Sequence, residues 1–325
     1  MMKRILSVGA ILCFALTGMA QMKRTTLVAQ INGYKYDMIY FDCTQTPFIR
    51  AEFHTNPGEE HTYTFETDKV VNMIVNGRNE LLLQPGDSLH VIMNYEGKPV
   101  TSMQFSGTPR AVQTNQLLWD LELFKRSIRY KSQLLACAAL DIKPINRIND
   151  SRTLLAKANE LISKSGNNLS SEAKSYLLAD VESDVYNSFM DYPGMYAEIR
   201  HLPIEKQGIG DYWKIMDNYQ LRKDEVALSN PKYISLLMRY CAFQNEKAAV
   251  EKGQKYERPN TLEAMYNEFA SFYEGNVRDA VLYNLLCNFI RNGKEIERAE
   301  PLLKEYKEKY NSNKEYVRIL DTLMQ

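Results

Sequence analysis

The 325-residue sequence is poor in the features that announce chemistry. It has four histidines, His54, His61, His90 and His201, and none has a second His three or four residues away, so no helical metal pair is offered. No two of its five cysteines stand in a Cys-x-x-Cys pair, the spacing that disulfide exchange favours. A Gly-x-Ser-x-Gly elbow and a Gly-x-x-x-x-Gly-Lys-Ser/Thr phosphate loop are both missing. Neither sign of charge is in excess, with 40 Lys+Arg against 40 Asp+Glu, which gives no electrostatic reason to expect nucleic acid. The sequence therefore nominates no catalytic residue, no cofactor and no metal. Two weaker constellations read as solvated surface: the His54 and His61 pair flanking Asn56-Pro57-Gly58, and Asp180, Glu182 and Asp184 crowded on one helix.

What is present is ordinary globular material. Apolar residues make up 45% and charged residues 25%. The length suggests two domains at roughly 150 residues each. Residues 1–20 have the layout of a secretory signal: Lys3 and Arg4, an apolar run over 5–16, then Gly18-Met19-Ala20 as a small-residue cleavage site. The run is shorter than the roughly 20 residues needed to span a bilayer. Cleavage after Ala20 and a periplasmic location are expected, with no membrane span in the mature chain. The four cysteines left, Cys43, Cys137, Cys241 and Cys287, allow three pairings, and the apolar neighbours of the last three favour inert burial.

From 21 to 107 the pattern is one of strands and turns. Short β-branched and aromatic runs such as Phe48-Ile49-Arg50-Ala51-Glu52-Phe53 are punctuated by Asn32-Gly33, Asn56-Pro57-Gly58 and Asn76-Gly77. Leu81-Leu82-Leu83, Gln84-Pro85-Gly86-Asp87 and Ser88-Leu89-His90-Val91 read as a hairpin with a type II turn. About seven such strands predict a β-sandwich. From 108 to 325 the period is helical. Leu177, Val181, Val185 and Phe189 form one stripe, and Val277, Val281, Leu285 and Phe289 another. Asn230-Pro231 and Thr261 open helices, whereas Pro193-Gly194 and Gly208-Ile209-Gly210 are expected loops. The expected class is α+β: an N-terminal β-sandwich followed by an irregular all-α domain.

Sixteen of the 21 tyrosines lie beyond Gly107. Tyr192, Tyr196, Tyr212, Trp213 and Tyr219 are the candidates for a partner or ligand surface, against the alternative that they pack helix seams.

Several segments resemble the exported TlpA-like thiol:disulfide oxidoreductases of the thioredoxin-like family. Pro85-Gly86-Asp87 is similar to the turn near the end of that family's N-terminal β-domain. Phe105-Ser106-Gly107 with Asn115 resembles its junction into the helical domain, and Tyr186-Asn187-Ser188-Phe189 and Phe272-Tyr273-Glu274-Gly275-Asn276 resemble its helical middle. The family's C-terminal thioredoxin domain carries Cys-x-x-Cys, which this sequence does not contain, so no catalytic cysteine is carried over.

The resemblance implies a non-catalytic accessory protein of the cell envelope that docks a protein partner, such as a separately encoded thioredoxin-like chain. A thiol:disulfide oxidoreductase, intact or truncated, and a glycan or peptide capture protein are the alternatives.

Overall fold

A computed structural model describes residues 22–325 apart from 44, 46, 47, 57, 311 and 312. The signal segment expected at 1–20 lies outside the described residues. The α+β class is seen directly: two four-stranded sheets are followed by helices.

The first sheet holds β1 (Lys23–Asn32), β4 (Glu60–Thr67), β7 (Ser88–Tyr95) and β8 (Val100–Gly107) in the order β4-β1-β7-β8. The second holds β2 (Met38–Cys43), β3 (Arg50–His54), β5 (Val71–Val75) and β6 (Asn79–Leu83) in the order β3-β2-β5-β6. Along β1, Leu27, Ala29 and Ile31 alternate inward, and along β7 Leu89, Val91 and Met93 do the same. This period of two packs one face of each sheet into a shared core. Strand β1 runs parallel to β7 and antiparallel to β4. A parallel pair needs a long crossover, and here β2 to β6 provide it.

The hairpin expected around Pro85-Gly86 is not one. The turn itself forms, with the Asp87 N–H donating to Gln84 O at 3.0 Å and Gly86 at φ +85°. The strands on either side of it belong to different sheets, however. Turn chemistry fixes the local bend, while partner choice is set by burial. Leu81 and Leu83 face the sandwich core, and Leu82 between them enters the helical core. Both faces of β6 are thus covered, which explains the unbroken apolar run.

The histidine pair also departs from expectation. His61 is buried, its ring 5.0 Å from that of Phe53, while His54 stays exposed on β3 in the other sheet. They are not a solvated turn pair.

Helix α1 (Pro109–Ser127) starts the second half and serves both cores. Its Ala111 and Trp119 pack with the sheets, and its Leu117 and Leu121 pack with the helices. After the short α2 (Leu134–Ala139) come α3 (Pro144–Ser165), α4 (Ser171–Met190), α5 (Tyr192–Arg200), α6 (Glu225–Leu228) and α7 (Pro231–Glu251). Then follow α8 (Leu262–Phe272), α9 (Gly275–Arg291), α10 (Ala299–Glu305) and α11 (Lys314–Leu323). The stripe Leu177, Val181, Val185 and Phe189 makes α4 the central helix, packed against α3 and α7. Asn230 caps α7 and Thr261 caps α8, as their side-chain oxygens accept the free first-turn N–H groups. Pro193-Gly194 is not a loop. It lies in the first turn of α5, where a proline lacks no needed hydrogen bond. Among the described residues no helix is long and apolar enough to cross a membrane.

Candidate functional site

A cleft of about 330 Å³ opens where the β-sandwich meets α1 and α4. Its apolar walls come from Tyr95, Met103 and Phe105 on the sheet side and from Leu118 and Trp119 on α1. Helical spacing places Trp119 on the face of α1 that meets the sheets, where its ring is nearly buried. Arg126 lies 4.9 Å from the Trp119 ring centre and donates to the Val100 carbonyl at 2.5 Å and to Glu122 at 2.8 Å. These contacts fix the wall before any ligand arrives.

The floor is a web of ion pairs that ties the domains together. Lys232 on α7 donates to Glu80 of β6 at 2.6 Å and to Asp180 of α4 at 3.1 Å. Lys125 on α1 donates to Asp184 at 2.6 Å. Burial pushes the Asp180 carboxyl above its ordinary range, in spite of the opposing Lys232 charge. Burial acts on Asp184 the same way, but Lys125 and Lys232 outweigh it and hold that carboxyl below the usual range. The solvated carboxylate surface expected here is therefore mostly an interior feature. Asp180 and Asp184, four residues apart, share the face turned to the lysines. Glu182 points elsewhere, accepting from Arg222 at 2.9 and 2.7 Å. Because these lysines and carboxylates are engaged with one another, the web holds geometry.

Arg78, Tyr95 and Lys98 also line a second, more open basin of about 450 Å³. Tyr34, Tyr36 and Tyr40 wall it. The two spaces adjoin at these shared residues, and together they are termed the trough. Among the described residues, Arg78 and Lys98 have no carboxylate within ion-pair distance, and both are exposed.

The five aromatic residues nominated from the sequence lie elsewhere, in two separate seams. Tyr192 and Tyr196 are buried beside Cys137 and Ala138. The Tyr192 hydroxyl donates to Ile142 O at 2.6 Å, and that of Tyr196 donates to Asp141 at 2.8 Å. Tyr212 and Trp213 pack on Phe243, with ring centres 5.3 and 5.6 Å away. Tyr219 lies 4.1 Å from Tyr186, and its hydroxyl is 3.2 Å from that of Tyr233. The residues that line the trough were not nominated. Their one sequence signal is the density of Tyr34, Tyr36 and Tyr40 beside the Asn32-Gly33 turn, since loops on a rigid frame tend to carry binding residues.

All four described cysteines are buried. Cys43 packs in the sandwich core, Cys137 in the small α2–α5 cluster, and Cys241 and Cys287 in the helical core. Burial pushes the thiols of Cys137, Cys241 and Cys287 up, and Glu268 adds to the effect at Cys241. A nucleophilic cysteine needs the opposite surroundings, electropositive and open. Among the described residues no group of three or more His, Cys, Asp or Glu is placed to hold a metal ion.

No family model, curated protein or solved structure matches this chain.

Proposed function

We propose that the chain is a binding protein of the cell envelope that performs no chemistry of its own and holds its ligand in the trough between sandwich and helices. The observation that carries this reading is the trough itself, concave, aromatic along one wall and bordered by Arg78 and Lys98, which have no carboxylate within ion-pair distance among the described residues. Such a combination of apolar wall and few directing polar groups suits recognition. The buried thiols, those of Cys137, Cys241 and Cys287 pushed up by burial, support the non-catalytic part. The resemblance to the front of TlpA-like oxidoreductases supports the envelope location. A concave trough favours a slender ligand over the broad face of a folded partner, so docking of a thioredoxin-like protein becomes an outcome of the test.

Trp119 in the cleft wall and Trp213 are the two tryptophans of the chain, which makes a W213F variant report on the cleft alone. Its emission is followed while oligogalacturonate, maltooligosaccharide, an unstructured peptide pool and a thioredoxin are titrated in. A saturable change with at least one of these, and no turnover in thiol-coupled insulin reduction, is the expected result. Silence across the panel, or robust insulin reduction, overturns the reading.

A further inference from the structure

We infer that the basin at the open end of the sandwich is a binding site for an oligosaccharide that carries carboxylate groups. The inference rests on the binding role proposed above and names its ligand class.

Three connections distant in sequence converge there. Tyr34 and Tyr36 stand on the β1–β2 connection, Arg78 on the β5–β6 turn and Lys98 on the β7–β8 turn, while Tyr40 and Tyr95 come from β2 and the end of β7. The aromatic wall is preorganised. Tyr34 has its ring centre 5.3 Å from Tyr36 and 5.1 Å from Tyr95, with the planes tilted by 55° and 54°. At such tilts no ring is stacked flat on the next, so ring surface is left over for a ligand. Asn79 donates to the Tyr95 hydroxyl at 2.6 Å and fixes that ring. The loop bearing Tyr34 and Tyr36 is seated just as firmly. Gly33 has φ +71°, and a Cβ there would come within 2.4 Å of the Tyr95 carbonyl oxygen. Only glycine lets the loop approach so closely.

Exposure adds to the case. Tyr36 is 61% exposed and Tyr40 39% exposed, together at one concave place. Tyrosine suits a sugar because its electron-rich face meets the C–H face of a pyranose while its hydroxyl remains free to hydrogen-bond. The charges then select within that class. Arg78 and Lys98 line the basin without an acidic partner among the described residues, against a single lining carboxylate, Asp37. A guanidinium and an ammonium left unpaired favour carboxylates on the ligand, through charge-assisted hydrogen bonds.

The sheet topology disfavours an extended peptide. The strand that borders the basin, β2, lies between β3 and β5 and offers no free edge for strand addition.

Calorimetric titration of the chain with galacturonic acid trisaccharide and with neutral maltotriose tests the inference. The acidic sugar is expected to bind about tenfold more tightly, or more. A double variant, R78Q/K98Q, should bring the two sugars to parity, and Y36A should weaken both several-fold while the melting temperature holds. Equal affinity for the two sugars in the native protein overturns the assignment, as does unchanged binding of the acidic sugar in both variants. A Trp119 response to the peptide pool with none to either sugar rejects the sugar assignment and keeps the binding role. Silence toward every probe rejects both.

Discussion

Asn115 on α1 serves as a strand partner to Leu82 on β6. Its side-chain oxygen accepts the Leu82 N–H at 2.9 Å, and its side-chain nitrogen donates to the Leu82 carbonyl at 2.9 Å. Strand β6 is the edge of its sheet, and this one amide closes an edge that would otherwise leave two backbone groups unmet in the interior.

Replacing Asn115 strands both groups. N115A should lower stability by about 2–6 kcal/mol, at roughly 1–3 kcal/mol for each buried unsatisfied group. N115D keeps the shape but has no donor for the Leu82 carbonyl and adds a buried charge, so it should be no milder. Urea denaturation midpoints check both, and an unchanged midpoint in N115A would show the bracket to be dispensable.

Gly107 ends β8 at φ +124°, and a Cβ there would lie 2.1 Å from the Ser88 carbonyl oxygen, which also accepts the Thr108 N–H at 2.8 Å. G107A must therefore push the strand end off β7 or break that bond. A loss of about 3–5 kcal/mol is expected, overpacking and backbone strain together. Gly97 has φ +85° with open space around it, so G97A should cost only about 1–2 kcal/mol. Equal losses in the two variants would contradict the close approach at Gly107.

The Lys125–Asp184 pair makes stability depend on pH at both ends. Asp184 is held low in the fold, so its contribution is present above the unfolded value of about 3.9 and is lost as pH falls through the lower folded value. Desolvation opposes the charge on Lys125, but Asp184 outweighs it and raises the folded pKa. That contribution is present below the unfolded value of about 10.4 and is lost as pH rises through the folded one. Asp180 works in the opposite sense. Its raised value favours the fold at low pH, and that advantage is lost as pH climbs through the folded pKa. The stability gap between wild type and D184N should be widest near neutrality and narrow below about pH 4. Denaturation midpoints measured across that range decide it, and a gap independent of pH refutes the pair.

Tyr192 and Tyr212 are expected to matter for stability. Each hydroxyl donates to a backbone carbonyl, that of Ile142 in a half-buried place and that of Met190 in the interior. Y192F and Y212F should each cost about 1–2 kcal/mol. The Trp119 titration curves should stay where they were. A lost emission response in either variant would move the binding surface back to these helices.

The thiols of Cys43, Cys137, Cys241 and Cys287 should resist a thiol reagent such as dithionitrobenzoate in the folded protein and react together once guanidinium unfolds it. Fast reaction of any one of them in buffer would identify an accessible thiol and reopen redox chemistry.

Local periodicity made the broad fold readable. The alternation in β1 and β7 and the four-residue stripe on α4 each need only their own segment to be recognised. Pairing was less legible. Pro85-Gly86 dictates a turn, yet which sheet Ser88 joins depends on β1, some sixty residues earlier. Asp180 and Asp184 looked solvated because their lysines come from α1 and α7, which only the packed domain brings near. The trough stayed hidden for the same reason. Its cations sit on turns far in sequence from Tyr34 and Tyr36, and only the packed sandwich brings them to one place.

Leu82 enters one core while Leu81 and Leu83 enter the other, so the boundary near Gly107 divides the sequence without dividing the cooperative unit. Severed there, the sandwich would show a bare leucine and an unclosed edge to water, and the helices would have a socket with nothing in it. The two halves should melt as one.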